Sequence, residues 1–567
     1  MEEQNSTIFK NCRLFDPFTN KVYDDTSFIV NDTTGRVLSV FFSTDDYDPS
    51  LFKGKHVDIG GKIVIPAFID AHMHCESVLV TPSKTSFIAE HGTAVCIADP
   101  HEIVNVLGEK GFWFFVDDSK DAIIDFRFSI PSCVPATPFE TSGGIVNGET
   151  IEKIMKEEIK RRVNGKKKVI NLGEVMNVDG VVNESDYLMD ILNQAKRFEL
   201  NIDGHAPGVK GERLNKYINM GVMNDHECQT EKELDDRIKR GMYVLIREGT
   251  AGKNAYELCK ALSKYSSIAT KRCSFCTDDR RIDDIYKEGH IDNAVRIGIK
   301  AGLDPKDAIR MGTLNPAEMF HLDKDYGSIT PGKYGSFCVL DGELKDVKIN
   351  QVYIQGRLIG KNEITPNKID LSEFNVMNVD INTIERKLNE TNFNDKIAIG
   401  VIPNSLITYS DEPNEKSLYM IVVERYTGKC EMGHCLLNNI LLKDNSAIAS
   451  TVAHDSHNIV CIGNTKESMI KAIKNIIKIK GGYVIVHNDQ EYSLPLPIAG
   501  LMSNLSGNEI LQKLKEFHLV LDKISINCNF DILMTLSFLC LPVIPKLKLT
   551  NKGLFDAEFF QFVNKQN

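Results

Sequence analysis

The stretch "KIVIPAFIDAHMHCES", residues 62–77, places two histidines directly after an apolar run. In a β-strand alternate side chains lie on the same face, so His72 and His74 are expected to point the same way. The pair has two interpretations: metal ligands at the end of a sheet, or two core histidines. Because the pair alone is weak support for a metal, the rest of the chain has to decide.

Between residues 61 and 310, short apolar runs alternate with segments of helical period. Eight alternations of strand and helix predict an α/β fold with a closed parallel (β/α)8 barrel. An open doubly wound sheet is the alternative, but no glycine-rich phosphate-binding turn accompanies the pattern. The eight candidate strands are "KIVIPAFIDAHMH", "TAVCIADPHE", "DFRFSIPSCVPA", "KKVINLGEVMN", "LNIDGHAPG", "GVMNDHEC", "YVLIREG" and "RCSFCTDD".

Ionisable residues concentrate at the C-terminal ends of these runs. In a barrel those ends meet at one rim, where the active sites of this fold are built. A single histidine after a strand is usually a hydrogen-bonded structural residue, but a core alone gives no reason to gather five of them. The residues are His72, His74, His101, Glu102, Glu174, His205, His226, Glu248, Asp278 and Asp279.

The chain of 567 residues is too long for one hydrophobic core, and its character changes along its length. Residues 1–60 and 326–362 look like short strands and turns, and we expect them to form one small β-sandwich domain from both flanks. The barrel is predicted over residues 61–325. Residues 361–380 look like a polar linker, and an extra α+β domain is predicted over residues 380–567.

Charge and composition argue against several classes of protein. A formal net charge of −11 without a basic cluster argues against nucleic acid as a partner. No apolar segment is long enough to span a membrane, and the N-terminus has no apolar core of signal-peptide length, so we expect a cytoplasmic protein without a membrane partner. The 14 cysteines follow no framework pattern and are expected as reduced thiols. The single C-x-x-C, Cys273 and Cys276, is interpreted as buried strand residues.

The order of these strand-end residues resembles the metal ligands of the amidohydrolase superfamily, and within it the chain resembles the prokaryotic-type adenine deaminase family. The resemblance extends from about residue 7 to the C-terminus. Two positions depart from the family pattern: Asp179 stands where proline is expected, and Tyr426 where histidine is expected. The stretches that carry the resemblance are "DAHMHCESVLVTP", "HGTAVCIADPHEIVNVLG", "DGHAPGVKG", "NDHECQT", "GMYVLIREGTAGKN", "CTDDRRIDDIYKEGHIDNAVR" and "AIASTVAHDSHNIV".

The resemblance implies hydrolytic deamination of adenine to hypoxanthine and ammonia, in purine salvage, at a centre of two divalent metal ions. Such ions lower the pKa of bound water, and nitrogen and oxygen ligands without thiolates suit them. Iron or manganese is the implied metal, with zinc as the alternative. The implied ligands are His72, His74 and Asp278 for one ion, His205 and His226 for the other, and Glu174 as the bridge.

The resemblance also places the proton transfers on Asp278, as general base and then acid, with Asp279 as the alternative ligand. Reading the purine edge needs further donors and acceptors near the rim. The candidates for substrate binding are Glu76, His101, Glu102 and Asp279. It is an equal alternative that His101 and Glu102 brace the metal ligands.

The C-terminal stretch "AHDSHN" groups His454, Asp455 and His457. These residues are expected to reach over the barrel mouth, to form a second metal site, or to cap a strand turn. A homo-oligomer is expected, with a homodimer as its form. Another amidohydrolase activity, on a cyclic amide or a different amino-heterocycle, is the alternative function. A non-catalytic purine-binding relative is a third hypothesis, and the presence of all six ligands argues against it.

Overall fold

The computed structural model describes residues 5–163, 165–360 and 369–563. Eight parallel strands form the centre of the molecule. They are buried almost throughout, as expected for parallel strands covered by helices on the outside and side chains within. These strands are Phe68–Met73, Thr93–Ala98, Asp125–Ile130, Val169–Val175, Asn201–Gly204, Asn224–Asp225, Tyr243–Arg247 and Cys273–Cys276.

Hydrogen bonding closes these eight strands into a ring. The first five pair in chain order as one parallel sheet, and the last three pair as another. A bridge between Ile202 and Val222 joins the fifth strand to the segment entering the sixth, and a bridge between Met73 and Asp278 joins the first strand to the end of the eighth. The predicted barrel is therefore confirmed, and the open-sheet alternative is wrong.

Amphipathic helices cover the outside of the barrel. The helix Gly148–Arg161 shows why they form: the Asn147 side chain accepts a hydrogen bond from the backbone N–H of Thr150, and Ile151 and Ile154 are buried. The other helices of this region are Ser86–Ala89, His101–Leu107, Glu109–Asp118, Val178–Val182, Asp186–Arg197, Gly211–Asn219, Glu231–Lys239, Ala255–Leu262, Ser267–Thr270, Ile282–Glu288, Ile291–Lys300, Pro305–Met311 and Leu314–Met319.

Both flanks of the barrel contribute to one eight-stranded sheet, as predicted. The strand expected over residues 62–74 is corrected here, because it is two strands. Ile63–Pro66 pairs in the flanking sheet, the N–H of Ala67 still donates to the Ser336 carbonyl of that sheet, and barrel pairing begins at Phe68. The remaining strands of the flanking sheet are Ser6–Asp16, Lys21–Asn31, Val37–Phe41, Lys55–Asp58, Phe337–Leu340, Ile349–Ile354 and Arg357–Leu358.

The C-terminal region is built on a second eight-stranded sheet, with helices packed against it. Of the predicted linker, residues 361–368 lie outside the described residues. The strands of this sheet are Ala398–Val401, Thr408–Asp411, Leu418–Val423, Met432–Asn438, Ser446–Ser450, Ile459–Gly463, Gly482–His487 and Gln490–Pro495. The helices are Ile381–Glu390, Lys466–Lys478, Gly507–Ile524 and Ile532–Phe538, and a small sheet follows with strands Leu547–Thr550, Gly553–Asp556 and Gln561–Phe562.

Within the described ranges, no helix combines the length and the apolar character that crossing a bilayer requires. All 14 cysteines lie in these ranges, and none is paired. Cys273 and Cys276 are buried in the eighth barrel strand, which confirms their interpretation as strand residues.

Candidate metal centre and active-site cavity

Two histidines and a carboxylate meet where the barrel closes. His72 Nε2 lies 3.2 Å from His74 Nε2, so the two side chains point to the same side of the first strand, as the alternation predicts. Asp278 Oδ1 lies 3.1 Å from His74 Nε2 and 3.6 Å from His72 Nε2. The backbone N–H of Asp278 donates to the carbonyl of His72 at 2.9 Å. The closing seam of the barrel therefore fixes all three residues relative to one another.

The other half of the centre comes from the fourth, fifth and sixth strands. Glu174 Oε2 lies 2.7 Å from His205 Nδ1 and 3.0 Å from His226 Nε2. Its other oxygen, Oε1, lies 3.6 Å from His74 Nε2. The Glu174 carboxylate thus stands between the two groups of histidines with one oxygen toward each. We call His72, His74, Glu174, His205, His226 and Asp278 the rim cluster.

The chemistry of the rim cluster fits divalent cations. His74 Nδ1 lies 3.0 Å from the carbonyl oxygen of Asp99. Since a carbonyl only accepts, Nδ1 donates to it, which leaves Nε2, facing His72 and Asp278, as the ring nitrogen that a cation could use. Among the described residues, the buried Nδ1 atoms of His72 and His226 have no hydrogen-bond partner. Four imidazoles and two carboxylates converge here, and once the facing ring nitrogens have lost their protons they form a donor set that zinc, iron and manganese accept.

The Arg247 guanidinium keeps the Asp278 carboxylate ionised. Arg247 Nη1 donates to Asp278 Oδ2 at 2.8 Å, and the same guanidinium pairs with Glu227. Burial alone raises the pKa of Asp278, but Arg247 and the two histidines outweigh burial and hold that pKa well below its usual range. Asp278 is therefore held ionised, with one oxygen toward the histidines and one toward the guanidinium.

The bridging carboxylate is ionised for a similar reason. Burial raises the pKa of Glu174, but the charge on His205 and hydrogen bonds from His205 and His226 lower it well below its usual range. Burial lowers the pKa of His205, yet Glu174 and Glu227 raise it to about 9. The protein alone thus stabilises negative charge between the two groups of histidines, which is the charge that cations require.

Four members of the rim cluster, His74, Glu174, His205 and Asp278, line a cavity of about 820 Å³, which is ample for a purine base. His74, Glu174 and His205 line the barrel side of this cavity. The C-terminal region lines the cavity with apolar side chains, such as Met534 and Phe538, and with the carboxylates of Asp455 and Asp531. The barrel rim and the C-terminal region therefore form the cavity together.

The expected substrate-binding residues divide between two places. His101 lines the main cavity, Glu76 and Glu102 line a cavity of about 40 Å³ beside it, and Asp279 lines both. His101 stands between the two, with Nδ1 3.5 Å from Glu174 Oε1 and Nε2 3.4 Å from Glu102 Oε1.

Glu76 and Asp279 have partners of their own. Glu76 Oε1 accepts a hydrogen bond from the backbone N–H of Ile103 at 2.9 Å, and burial together with the Glu102 charge raises the pKa of Glu76 to about 8. Asp279 accepts from the hydroxyl of Ser77. Of the two neighbouring aspartates, Asp278 is the one that the fold places against the rim histidines.

The C-terminal stretch "AHDSHN" reaches over the barrel mouth, which was one of its three interpretations. His454 Nδ1 lies 2.6 Å from Glu102 Oε1, and His457 Nε2 contacts the other oxygen of Glu102. Burial raises the pKa of Glu102, but His454 and His457 outweigh it and lower that pKa well below its usual range. We call Glu102, His454, Asp455 and His457 the interdomain cluster.

Sequence reasoning missed Arg247 and Glu227 and named Glu248 instead. The Glu248 carboxylate accepts from the backbone N–H of Ala255 and takes no part in the rim cluster. Side chains alternate along the seventh strand, so only one of Arg247 and Glu248 points to the centre. This alternation is the feature of the sequence from which Arg247 could have been identified. Asp99, whose Oδ2 accepts from the backbone N–H of Glu174 at 2.9 Å, was also missed.

The two departures from the family pattern lie outside the rim cluster. Asp179 pairs with Arg213 on the surface, where both side chains are more than half exposed. The Tyr426 hydroxyl donates to the carbonyl of Ser456, next to the interdomain cluster. Tyr426 therefore holds the loop that carries Asp455.

Comparison with known proteins matches this geometry. A family model described as "Amidohydrolase family" matches residues 63–359, which include the barrel and the entire rim cluster. The fold and site thus define the class as an amidohydrolase. A second model, "Adenine deaminase C-terminal domain", matches residues 401–561. Proteins named "Adenine deaminase" from Clostridium acetobutylicum and Bacillus pumilus are each 35% identical over 99% of this chain, covering 98% and 96% of their own lengths. The chain belongs to the adenine deaminase family.

Proposed function

We propose that this protein hydrolyses adenine to hypoxanthine and ammonia, in the cytoplasm and as a step of purine salvage. The observation that carries the proposal is the convergence of four imidazoles and two carboxylates at the barrel rim, where four of these six groups line a cavity large enough for a purine. Membership of the adenine deaminase family supports the choice of substrate. Unpaired, mostly buried cysteines are consistent with a reducing compartment.

The rim cluster is proposed to hold two divalent cations, manganese or iron before zinc. His72, His74 and Asp278 would hold one, and His205 and His226 the other. Glu174 would lie between them, since its two oxygens face the two groups. Cations bound there would lower the pKa of water towards neutrality and polarise the substrate.

Deamination needs a proton taken from water and a proton given to the leaving nitrogen. Asp278 is the proposed carrier, because its carboxylate lies at the cavity wall and the Arg247 guanidinium fixes its orientation. In the proposed sequence Asp278 accepts the proton of the attacking water and delivers it to the amino nitrogen on C6 of adenine. Ammonia leaves, and hypoxanthine retains the oxygen.

The apolar cover supports this chemistry by restricting water. Met534, Phe538 and Leu541 face the rim across the cavity. A purine bound between them and the rim would displace water and lie in an environment of low dielectric constant, where charged groups act more strongly. The C-terminal region is therefore proposed to complete the active site.

The test is turnover by protein loaded with manganese or iron and separated from free metal. The conversion of adenine is measured by the release of ammonia and by the change in ultraviolet absorbance. Adenosine, cytosine and hydantoins are assayed in the same way for comparison. Adenine is expected to show the highest kcat/KM of the panel. Preference for a hydantoin or for cytosine would replace the proposal with the alternative amidohydrolase activity. A homodimer stays a prediction, which light scattering of the loaded protein tests.

A further inference from the structure

In the part of the chain that the structure describes, five carboxylates line the main cavity outside the rim cluster, and four of them have partners. Glu227 pairs with Arg247, and Asp279 accepts from the Ser77 hydroxyl. Two more belong to the helix Ile282–Glu288 and to the C-terminal region. Asp284 accepts from the Thr250 hydroxyl at 2.7 Å, and Asp531 pairs with Arg281.

The fifth carboxylate, Asp455, is different. Among the described residues it receives no hydrogen bond, and its Oδ2 is buried without a partner. The nearest ring nitrogens lie too far away for hydrogen bonds: His101 Nε2 is 3.8 Å and His454 Nδ1 is 3.9 Å from Asp455 Oδ1. A buried carboxylate without a donor is costly, so a ligand that supplies an N–H is the expected partner.

The loop that carries Asp455 is held firmly in place. The backbone N–H of His454 donates to the carbonyl of Ser537 at 2.9 Å, and the His454 ring stacks on Phe538 with centroids 4.3 Å apart. The backbone N–H of Ala453 donates to His457 Nδ1 at 3.1 Å. The His457 carbonyl accepts from Arg425 Nε at 2.6 Å. Asp455 is therefore presented to the cavity on a fixed scaffold.

Adenine has only two kinds of N–H donor: the amino group on C6 and the N–H of the imidazole ring. In the proposed reaction the amino group faces the rim cluster, where it is released. A carboxylate elsewhere on the cavity wall therefore meets the imidazole edge. We propose that Asp455 accepts a hydrogen bond from the N9–H of adenine and thereby selects the free base over N9-substituted purines.

This inference rests on the proposed function and extends it, since it names the group that distinguishes the free base from a nucleoside. N9-substituted purines lack the donor and leave the Asp455 carboxylate buried and unpaired. A site built to bond a substrate N–H rejects such analogues far more strongly than an apolar pocket rejects a change of size. The C-terminal region then supplies specificity as well as a cover.

The experiment compares kcat/KM for adenine and for 9-methyladenine in wild-type protein, Asp455→Asn and Asp455→Ala. Loss of the carboxylate is expected to lower kcat/KM for adenine about 30- to 100-fold, mainly through KM. The value for 9-methyladenine is expected to change less than about threefold, so that discrimination collapses. An equal fall for both substrates, or no fall for adenine, would overturn the inference.

Asp284→Asn is the matched control, because it makes the same substitution at a carboxylate of the same cavity that already has a partner. It is expected to leave the ratio between the two substrates unchanged, and a collapse of that ratio would overturn the inference. The metal content of the Asp455→Asn variant shows whether Asp455 contacts the purine or binds a cation. Asp455→Asn is expected to retain the wild-type amount, and loss of one equivalent would assign Asp455 to a cation instead.

Binding measurements separate this inference from the proposed function. Adenine is titrated by calorimetry into the Asp278→Asn variant and into the Asp278→Asn, Asp455→Asn double variant. Because neither variant is expected to turn adenine over, the experiment compares their affinities for adenine. Weaker adenine binding by the double variant supports the role of Asp455, and equal binding overturns it. Failure of the wild-type protein to deaminate adenine overturns the proposed function only.

Discussion

The rim cluster and the interdomain cluster are built from the same residue types but are assembled differently. Every member of the rim cluster lies at the C-terminal end of a barrel strand or just after it, so the closure of one ring brings all six together. The interdomain cluster joins Glu102, which follows the second strand, to a loop more than 300 residues later in the chain. The first cluster depends on strand order alone, and the second depends on how the C-terminal region packs on the barrel.

Because the two clusters are assembled differently, we expect them to serve different purposes: the rim cluster catalysis, and the interdomain cluster substrate selection and stability. The rim cluster carries the groups that the proposed reaction needs. The interdomain cluster covers them, and its Asp455 is inferred to select the purine. Substitutions in the rim cluster should therefore abolish turnover while leaving the fold intact. Substitutions between the two regions should change affinity or local stability instead.

The largest effect is expected for Asp278→Asn, which keeps the shape of the side chain but removes its charge and its basicity. We expect kcat for adenine to fall by about 10³-fold or more, because a ligand and the proton carrier are lost together. Initial rates of ammonia release, with metal content and circular dichroism, measure it. Asp279→Asn is the control, and a larger loss in that variant would transfer the role to Asp279.

Arg247→Met should have the next largest effect. The guanidinium orients Asp278 without reaching the reaction itself, so kcat/KM is expected to fall about 10- to 100-fold. Because Arg247 lowers the pKa of Asp278, its removal should also move the acidic limb of the pH–rate profile to higher pH. Arg213→Met, at the exposed pair with Asp179, is the control. A lower rate with an unmoved acidic limb would indicate a structural role only.

Asp531→Asn tests how the two regions are held together. Asp531 pairs with the half-buried Arg281, and its side chain also caps the helix Ile532–Phe538 by accepting from the N–H of Met534. Asparagine keeps the cap but loses the charge, so hydrogen exchange in this helix should accelerate about 10-fold while the barrel strands are unchanged. Glu558→Gln, at an exposed pair with Lys546, should change neither. Equal acceleration in the barrel would contradict a local role.

Much of the rim cluster was predictable because it depends on the period of the strands and on family resemblance. His72 and His74 share a face by alternation, and Glu174, His205, His226 and Asp278 follow buried runs that end at one rim. The roles of these six residues stay proposals until the metal is measured. The split at Pro66 was missed, because an apolar run does not reveal that its pairing partner changes after Ala67.

The rest of the site could not be predicted, because it depends on contacts between distant segments. Nothing in "AHDSHN" indicates that His454 and His457 meet Glu102, so three interpretations stayed open. Met534 and Phe538 lie in an apolar stretch whose sequence does not indicate that it lines the cavity. Packing of one region on another is decided by surface shape and burial over many residues, which a one-dimensional pattern does not contain.

The smallest effect is expected at the opposite end of the barrel, where Asp292 is a buried carboxylate with cationic partners. Its Oδ2 accepts from Arg296 Nη1 at 2.6 Å, and its Oδ1 accepts from the backbone N–H of His290 at 2.7 Å. Burial raises the pKa of Asp292, but His91 and Arg296 outweigh burial and lower it to about 2. Because this is below the usual value of 3.8, the ionised form stabilises the fold above about pH 4, and that contribution is lost as the pH falls towards 2.

Asp292→Asn should therefore lower the free energy of unfolding by about 2 kcal/mol at neutral pH and leave kcat within about twofold. The melting temperatures of chelator-treated wild-type and variant proteins, compared at pH 6, 4 and 3, measure the first effect. Their difference should shrink on acidification, because the wild-type carboxylate gains a proton and loses its attraction to Arg296. A difference that grows as the pH falls would reverse the assigned sign. A large loss of turnover in Asp292→Asn would contradict the view that the rim cluster performs the chemistry while Asp292, at the other end of the barrel, only stabilises the fold.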